Sequence, residues 1–133
     1  MNRLLLLHSF ILVCIASLLS ACAEVMTITL DSKVDEPVYK YMQHISKKIE
    51  IIGVTRYPDM EAMLATRESL ELAMKISHAG KLDSVQLIKP ANNEKLNQAI
   101  LDIIQYSAPY PPLPDELKVD YLVIHKRWQF DPH

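Results

Sequence analysis

The side chains able to do covalent or acid–base chemistry in this 133-residue chain are few and far apart. Its two cysteines are Cys14 and Cys22, and Cys14 lies inside an apolar leader. No disulfide framework is therefore expected in the folded part, and the cysteine and histidine spacing of a zinc site is missing. His44, His78 and His125 are dispersed, one each on an expected helix, turn and strand. There is no Gly-x-Ser-x-Gly elbow and no glycine-rich phosphate loop. Gly53 and Gly80 are the only glycines, so tight backbone approach to a ligand is hard to arrange. Carboxylates are plentiful, but spacing puts no pair of them in a cleft. The chain reads as a non-enzyme that takes no cofactor and no metal.

Charge removes a further class. The formal net charge is −2, and the basic residues are scattered, with Lys47-Lys48 and Lys126-Arg127 as the only adjacent pairs. Nucleic-acid binding needs a basic stripe, so no nucleic-acid partner is expected.

What remains is the stretch from Ala108 to Phe130. A helical pattern stops at Pro109, Pro111, Pro112 and Pro114. Proline fixes φ and lacks the backbone donor, so this cluster predicts an extended connector, neither helix nor central strand. An alternating strand follows. Leu122, Ile124, Trp128 and Phe130 share one face, and Tyr121, Val123, His125, Arg127 and Gln129 share the other. The chain spends a rigid connector on placing this strand, which makes it the first candidate for function. His125 itself reads as a plain surface histidine.

The elements that must position the strand are legible from periodicity. Asp35, Glu36 and Pro37 suit a helix start. Val38, Tyr41, Met42, Ile45, Ile49 and Ile52 recur at helical spacing, which predicts a helix over 37–51 ended by Gly53. Ser69 to Ser77 alternates, with Leu70, Leu72, Met74 and Ile76 on one face. Gly80 supplies a hairpin turn, and Leu82 to Lys89 returns with Val85 and Leu87 inward. Asn92 or Asn93 caps a second helix carrying Leu96, Ala99, Ile100, Ile103 and Ile104. The order is α-β-β-α-β, an α+β fold. A three-stranded antiparallel sheet with both helices on one face would bury every apolar stripe. Residues 22–36 read as a tether. Val25 to Leu30 alternates weakly, and whether it forms a short edge strand stays open.

Residues 1–21 have a basic start at Arg3, an apolar run from Leu4 to Leu19 and a small-residue end at Ser20-Ala21, the layout of a signal peptide. The run is shorter than the roughly 20 residues of a membrane-spanning helix. Leu19-Ser20-Ala21-Cys22 resembles the lipobox of bacterial lipoproteins. The resemblance implies that Cys22 becomes the first residue of the mature chain and carries acyl chains. Ala23 in place of aspartate then favours the periplasmic face of the outer membrane, with the inner membrane as the alternative. An ordinary signal peptide or an uncleaved anchor, with Cys22 incidental, are the competing readings.

From Val38 to Phe130 the order of elements resembles the C-terminal domain shared by TonB-type energy transducers and TolA-like proteins. The matching residues are Tyr57-Pro58, Gly80-Lys81, Leu96 with Ala99, the connector Ala108-Pro109-Tyr110-Pro111-Pro112-Leu113-Pro114, and Asp120, Leu122, Trp128 and Phe130. This sequence departs from the family pattern in having Glu68 or Ser69 where a glycine precedes the first strand. Ala91-Asn92-Asn93 replaces a Ser-Gly pair, and Val54 replaces an aromatic near Tyr57-Pro58. The Ser-x-x-x-His pair of the transducers' membrane helix is absent, since His8 has Leu4 four residues before it. The long proline-rich spacer is missing too.

The resemblance implies a domain over 37–131 that binds a segment of an envelope protein by strand addition at a sheet edge. The last strand is the expected edge, with Tyr57, Tyr121, Val123, His125, Arg127 and Gln129 as the expected contact residues. Lys126 and Arg127 either blunt that edge, select acidic segments, or are simply a solvated end. The leading expectation is a lipid-anchored periplasmic binding module held to the membrane through Cys22. The alternative is a short energy transducer with an uncleaved anchor. A structural lipoprotein that homodimerises through its sheet is a third reading, and a small-ligand carrier a weak fourth.

Overall fold

The computed structural model describes residues 23–29 and 33–132. The leader 1–21, Cys22 and the tether residues Leu30 to Ser32 lie outside the described residues. The elements in chain order are β1 (Val25–Ile28), α1 (Glu36–Arg56), a short 3-10 turn (Met60–Met63), β2 (Glu68–Ser77), β3 (Leu82–Lys89), α2 (Glu94–Ser107) and β4 (Tyr121–Phe130). They build one sheet in the order β1-β4-β2-β3 with both helices on the same face. The α+β class and the helix arrangement are as expected.

Two features of the sheet differ from the sequence reading. It has four strands instead of three, because Val25–Ile28 pairs in parallel with Tyr121–Ile124. The weak alternation of this short segment carried no sign of a partner so distant in sequence. Consequently β4 is not the edge along its whole length. It lies between β1 and β2, and its outer side is open only beyond Ile124.

α1 starts where expected, with Asp35 extended and Pro37 in its first turn. It does not stop at Gly53 but runs on to Arg56. Glycine is a weak helix former but no barrier, whereas proline forces the residue before it out of the helical region. The end is therefore set by Pro58, and the Tyr57 N–H closes the helix on Gly53 O at 2.8 Å. At α2 the choice of cap is resolved: Asn93 Oδ1 accepts from the Leu96 N–H at 3.2 Å.

The core lies between sheet and helices. Leu70, Leu72, Met74 and Ile76 of β2, with Leu122 and Ile124 of β4, meet Val38, Tyr41, Ile45 and Ile49 of α1 and the apolar stripe of α2. The proline connector is part of this core. Tyr110 and Leu113 are buried, and the Tyr110 hydroxyl donates to Ile104 O at 2.8 Å. The connector also hydrogen-bonds the β2–β3 turn, with Tyr110 N donating to Gly80 O at 2.9 Å and Leu113 N to His78 O at 2.8 Å. From α1, Tyr41 donates to Pro111 O at 2.8 Å. The strap thus fixes where β4 begins.

Candidate functional site: the open half of the last strand

β1 covers β4 from Tyr121 to Ile124 and then ends. Beyond the His125 N–H, β4 pairs among the described strands only with β2, in unbroken register from Ala73↔His125 to Glu68↔Phe130. Backbone groups alternate sides along a strand. The Tyr121 N–H points to the β1 side, donating to Glu24 O at 3.2 Å. The same parallel ladder, in register to Ile28↔Ile124, takes the His125 N–H to Ile28 O, and the alternation directs the N–H and C=O groups of Arg127 and Gln129 to the same side, where no described strand meets them.

The five residues expected on one face of the strand do share it. Tyr121, Val123 and His125 are half-buried on the face away from the helices, and Arg127 and Gln129 are more exposed. Arg127 is not a free charge. Its Nε donates to Glu71 Oε1 at 2.8 Å, across the strand pair, and Lys89 reaches the same oxygen at 3.3 Å. The Arg127 hydrogen bond in particular holds the Glu71 carboxyl below the usual carboxylate range.

Lys126 points the other way, toward the helices. Its Nζ lies 3.2 Å from Ser46 Oγ and 4.9 Å from the centroid of the Trp128 ring. Burial lowers its pKa. Among the described residues no carboxylate forms an ion pair with it. The adjacent pair Lys126-Arg127 is therefore split between the two faces of the sheet.

Beside the open edge on the helix side lies a groove of about 570 Å³, lined by Ile49, Val54, Met60, Lys126, Trp128 and Phe130 among others. It exists because α1 presents Ser46 and Gly53 there, and small residues do not fill the space over the end of β4. Trp128 and Phe130, which alternation assigned to the core, are half-buried in this groove. Tyr57 also lines it, so it stands on the opposite side of the sheet from the other expected contact residues. Its hydroxyl donates to Asp102 Oδ2 at 2.8 Å, and that hydrogen bond chiefly raises its pKa.

Chemically, this arrangement offers backbone donors and acceptors at Arg127 and Gln129 that no strand among the described residues pairs, flanked by apolar aromatic surface and one desolvated ammonium. Among the described residues no cluster of three or more His, Cys, Asp or Glu side chains is placed to hold a metal ion. No helix among them is long and apolar enough to cross a membrane.

The architecture is an α+β sheet with both helices on one face, a proline strap before the last strand and a half-open edge beside it. The family described as TonB C terminal matches residues 38–125, more than half of the chain, and the chain belongs to that family. Among solved structures, the chain is similar to a solution structure of the TonB-CTD of Helicobacter pylori. The TM-score is 0.54 at 19% identity, over 71% of this chain and 82% of that one. The structure of HasB CTD matches with a TM-score of 0.43 at 18% identity, over 76% of this chain and 72% of that one. The first of these shares the fold. A search of curated proteins finds no match.

Proposed function

We propose that this chain is a lipid-anchored periplasmic module that binds a segment of another envelope protein by strand addition along His125–Phe130. Residues 1–21 act as a signal peptide, Cys22 carries the lipid on the periplasmic face of the outer membrane, 22–36 join the anchor to the domain, and 37–131 do the binding. The single observation behind this reading is the ladder that β1 leaves open beside an aromatic groove. An added segment would gain main-chain hydrogen bonds worth about 0.5–1.5 kcal/mol each, and its alternate side chains would enter the groove.

The sheet has a second free edge at β3, and the geometry favours β4 over it. The β2–β3 pairing is broken by irregularities at Glu71/Leu72 and Lys75/Ile76, and Asp83 and Lys89 of β3 are exposed. Bulges and charges are the features that blunt a sheet edge. β4 keeps regular register and is flanked by apolar surface.

A photo-crosslinking amino acid at Gln129, compared with one at the exposed Tyr39 of α1, tests this in living cells. The expected result is a discrete adduct to one envelope protein from position 129 only, mapped to an extended segment. Equal labelling from both positions refutes the reading. If the adduct is a second copy of the chain, the module homodimerises, and light scattering of the domain checks that. Membership in the family favours one rival, a short energy transducer with an uncleaved anchor. An intact Met1 in the mass spectrum of the membrane form would establish that rival and exclude acylated Cys22.

A further inference from the structure

The segment just before β1 is held more tightly than a tether needs to be. The Glu24 N–H donates to Asp120 Oδ2 at 2.9 Å, and Glu24 O accepts from Asp120 N at 2.8 Å and Tyr121 N at 3.2 Å. β1 then runs parallel to β4 and buries Ile28. Only Ala23 separates Cys22 from Glu24 in the sequence, so the chain between the anchor position and that fixed residue can span at most about 7 Å. A free tether over 23–36 would reach about 50 Å.

The fixed point sits at one defined end of the domain. That end carries the start of β4, the β2–β3 turn and the connector, since His78 N donates to Asp120 O at 2.8 Å and Leu113 N to His78 O. It also carries the N-terminal part of α1, whose Tyr41 bonds Pro111. The opposite end carries Phe130 paired with Glu68, and the 3-10 turn, whose Met63 O accepts from Asn93 Nδ2 at 3.0 Å.

We propose that Glu24 and β1 form a clamp that stands the domain on the lipid surface by its turn-and-connector end. The open half of β4 and its groove then face away from the bilayer. The inference rests on the proposed anchor at the N-terminal segment, and it holds whether that anchor is an acylated Cys22 or an uncleaved leader. The partner of this end is the lipid headgroup surface. Lys81 and Lys118 are outnumbered there by Glu24, Asp115, Glu116 and Asp120, so the short chain to the anchor, and not net charge, does the seating. At about 3.3 Å per residue, His125 stands roughly 13 Å and Phe130 roughly 30 Å beyond Tyr121. A partner segment must therefore come to the edge from the periplasmic space.

The test uses full-length protein purified from membranes and reconstituted in phosphatidylethanolamine/phosphatidylglycerol vesicles with a headgroup-linked quencher. A fluorescent non-canonical amino acid replaces either Lys118 at the clamped end or Asp59 at the far end; both positions are exposed. The expected result is quenching several-fold stronger at 118 than at 59. A ten-residue Gly-Ser insertion between Ala23 and Glu24 adds roughly 18 Å of flexible reach and should shrink that difference by half or more. Equal quenching in the natural-length chain, or a difference that survives the insertion, overturns the clamp. The mass of the N-terminal peptide from the same sample reads the anchor separately: strong asymmetry with an intact Met1 keeps the clamp and removes the acyl anchor.

Discussion

Replacing Gly80 with alanine probes the contact that holds the strap to the hairpin. Gly80 has φ +90°, in the left-handed region that favours glycine. A Cβ there would meet Tyr110 O at 2.1 Å and the Pro111 O and C atoms at 2.8 and 2.9 Å. The left-handed backbone alone costs a side-chain-bearing residue about 1–2 kcal/mol. The obstacle is backbone, which cannot rotate away, so the connector must lift. Lifting breaks the Tyr110–Gly80 and Leu113–His78 hydrogen bonds, at about 1 kcal/mol each. It also loosens Tyr110 and Leu113, each only 3% exposed. The total is roughly 3–5 kcal/mol, which for a domain of about 100 residues means a Tm fall of more than about 12 °C. Thermal unfolding of residues 23–133 followed by circular dichroism reads it. Gly53→Ala is the built-in contrast: its Cβ would make an ordinary 3.6 Å contact with Ile103 Cδ1 inside α1, so stability should rise by about 0.5–1 kcal/mol. A Gly80→Ala fall of less than about 4 °C, under 1 kcal/mol, would refute the role given to the strap.

Asn97 is buried and closes a ring with Ala91, accepting from its N–H at 2.8 Å and donating to its C=O at 2.9 Å. Asn97→Leu should destabilise by about 2–4 kcal/mol in urea unfolding, because both backbone groups lose their partners; a neutral result would show that water replaces them. Burial pushes the Tyr41 hydroxyl up to about 12 from an ordinary 10.0. Its folded pKa is raised, so the stability it contributes is full below pH 10 and is lost as pH rises through 12. Tyr41→Phe should cost about 1 kcal/mol at pH 7, through the hydrogen bond to Pro111, yet flatten the fall between pH 10 and 12. Parallel curves for the two proteins would contradict that. Asn93→Ala removes the α2 cap and should cost about 1 kcal/mol, read from the same urea midpoints.

The strong periodic signals were read correctly from sequence because burial on one face imposes them. β2 alternates without a break, α2 has a full apolar stripe, and the prolines of the connector permit little but an extended strap. β1 was not legible, since a strand of four residues gains its stability from Asp120 and β4 at the far end of the chain. With the strand at Val25 to Leu30 left open, β4 looked like a full edge. Gly53 misled for a local reason: a glycine ends a helix when the next turn needs positive φ, and Gly53 has none, so it stays inside α1. Lys126 shares a face with Leu122 and Trp128 by alternation, but a charged residue next to Arg127 reads as surface. Only the small Ser46 opposite makes room for it.

Residue-resolved amide hydrogen exchange along β4 tests the central claim most directly, first in the free domain and then with the crosslink-identified segment bound. In the free domain, the Lys126 and Trp128 amides, directed to β2, should be protected while those of Arg127 and Gln129, beyond the end of β1, exchange fast. Binding should slow Arg127 and Gln129 and leave Val123 and His125, already covered by β1, unchanged. Protection that does not alternate beyond His125 in the free domain, or binding that slows β3 instead of Arg127 and Gln129, would contradict strand addition at this edge.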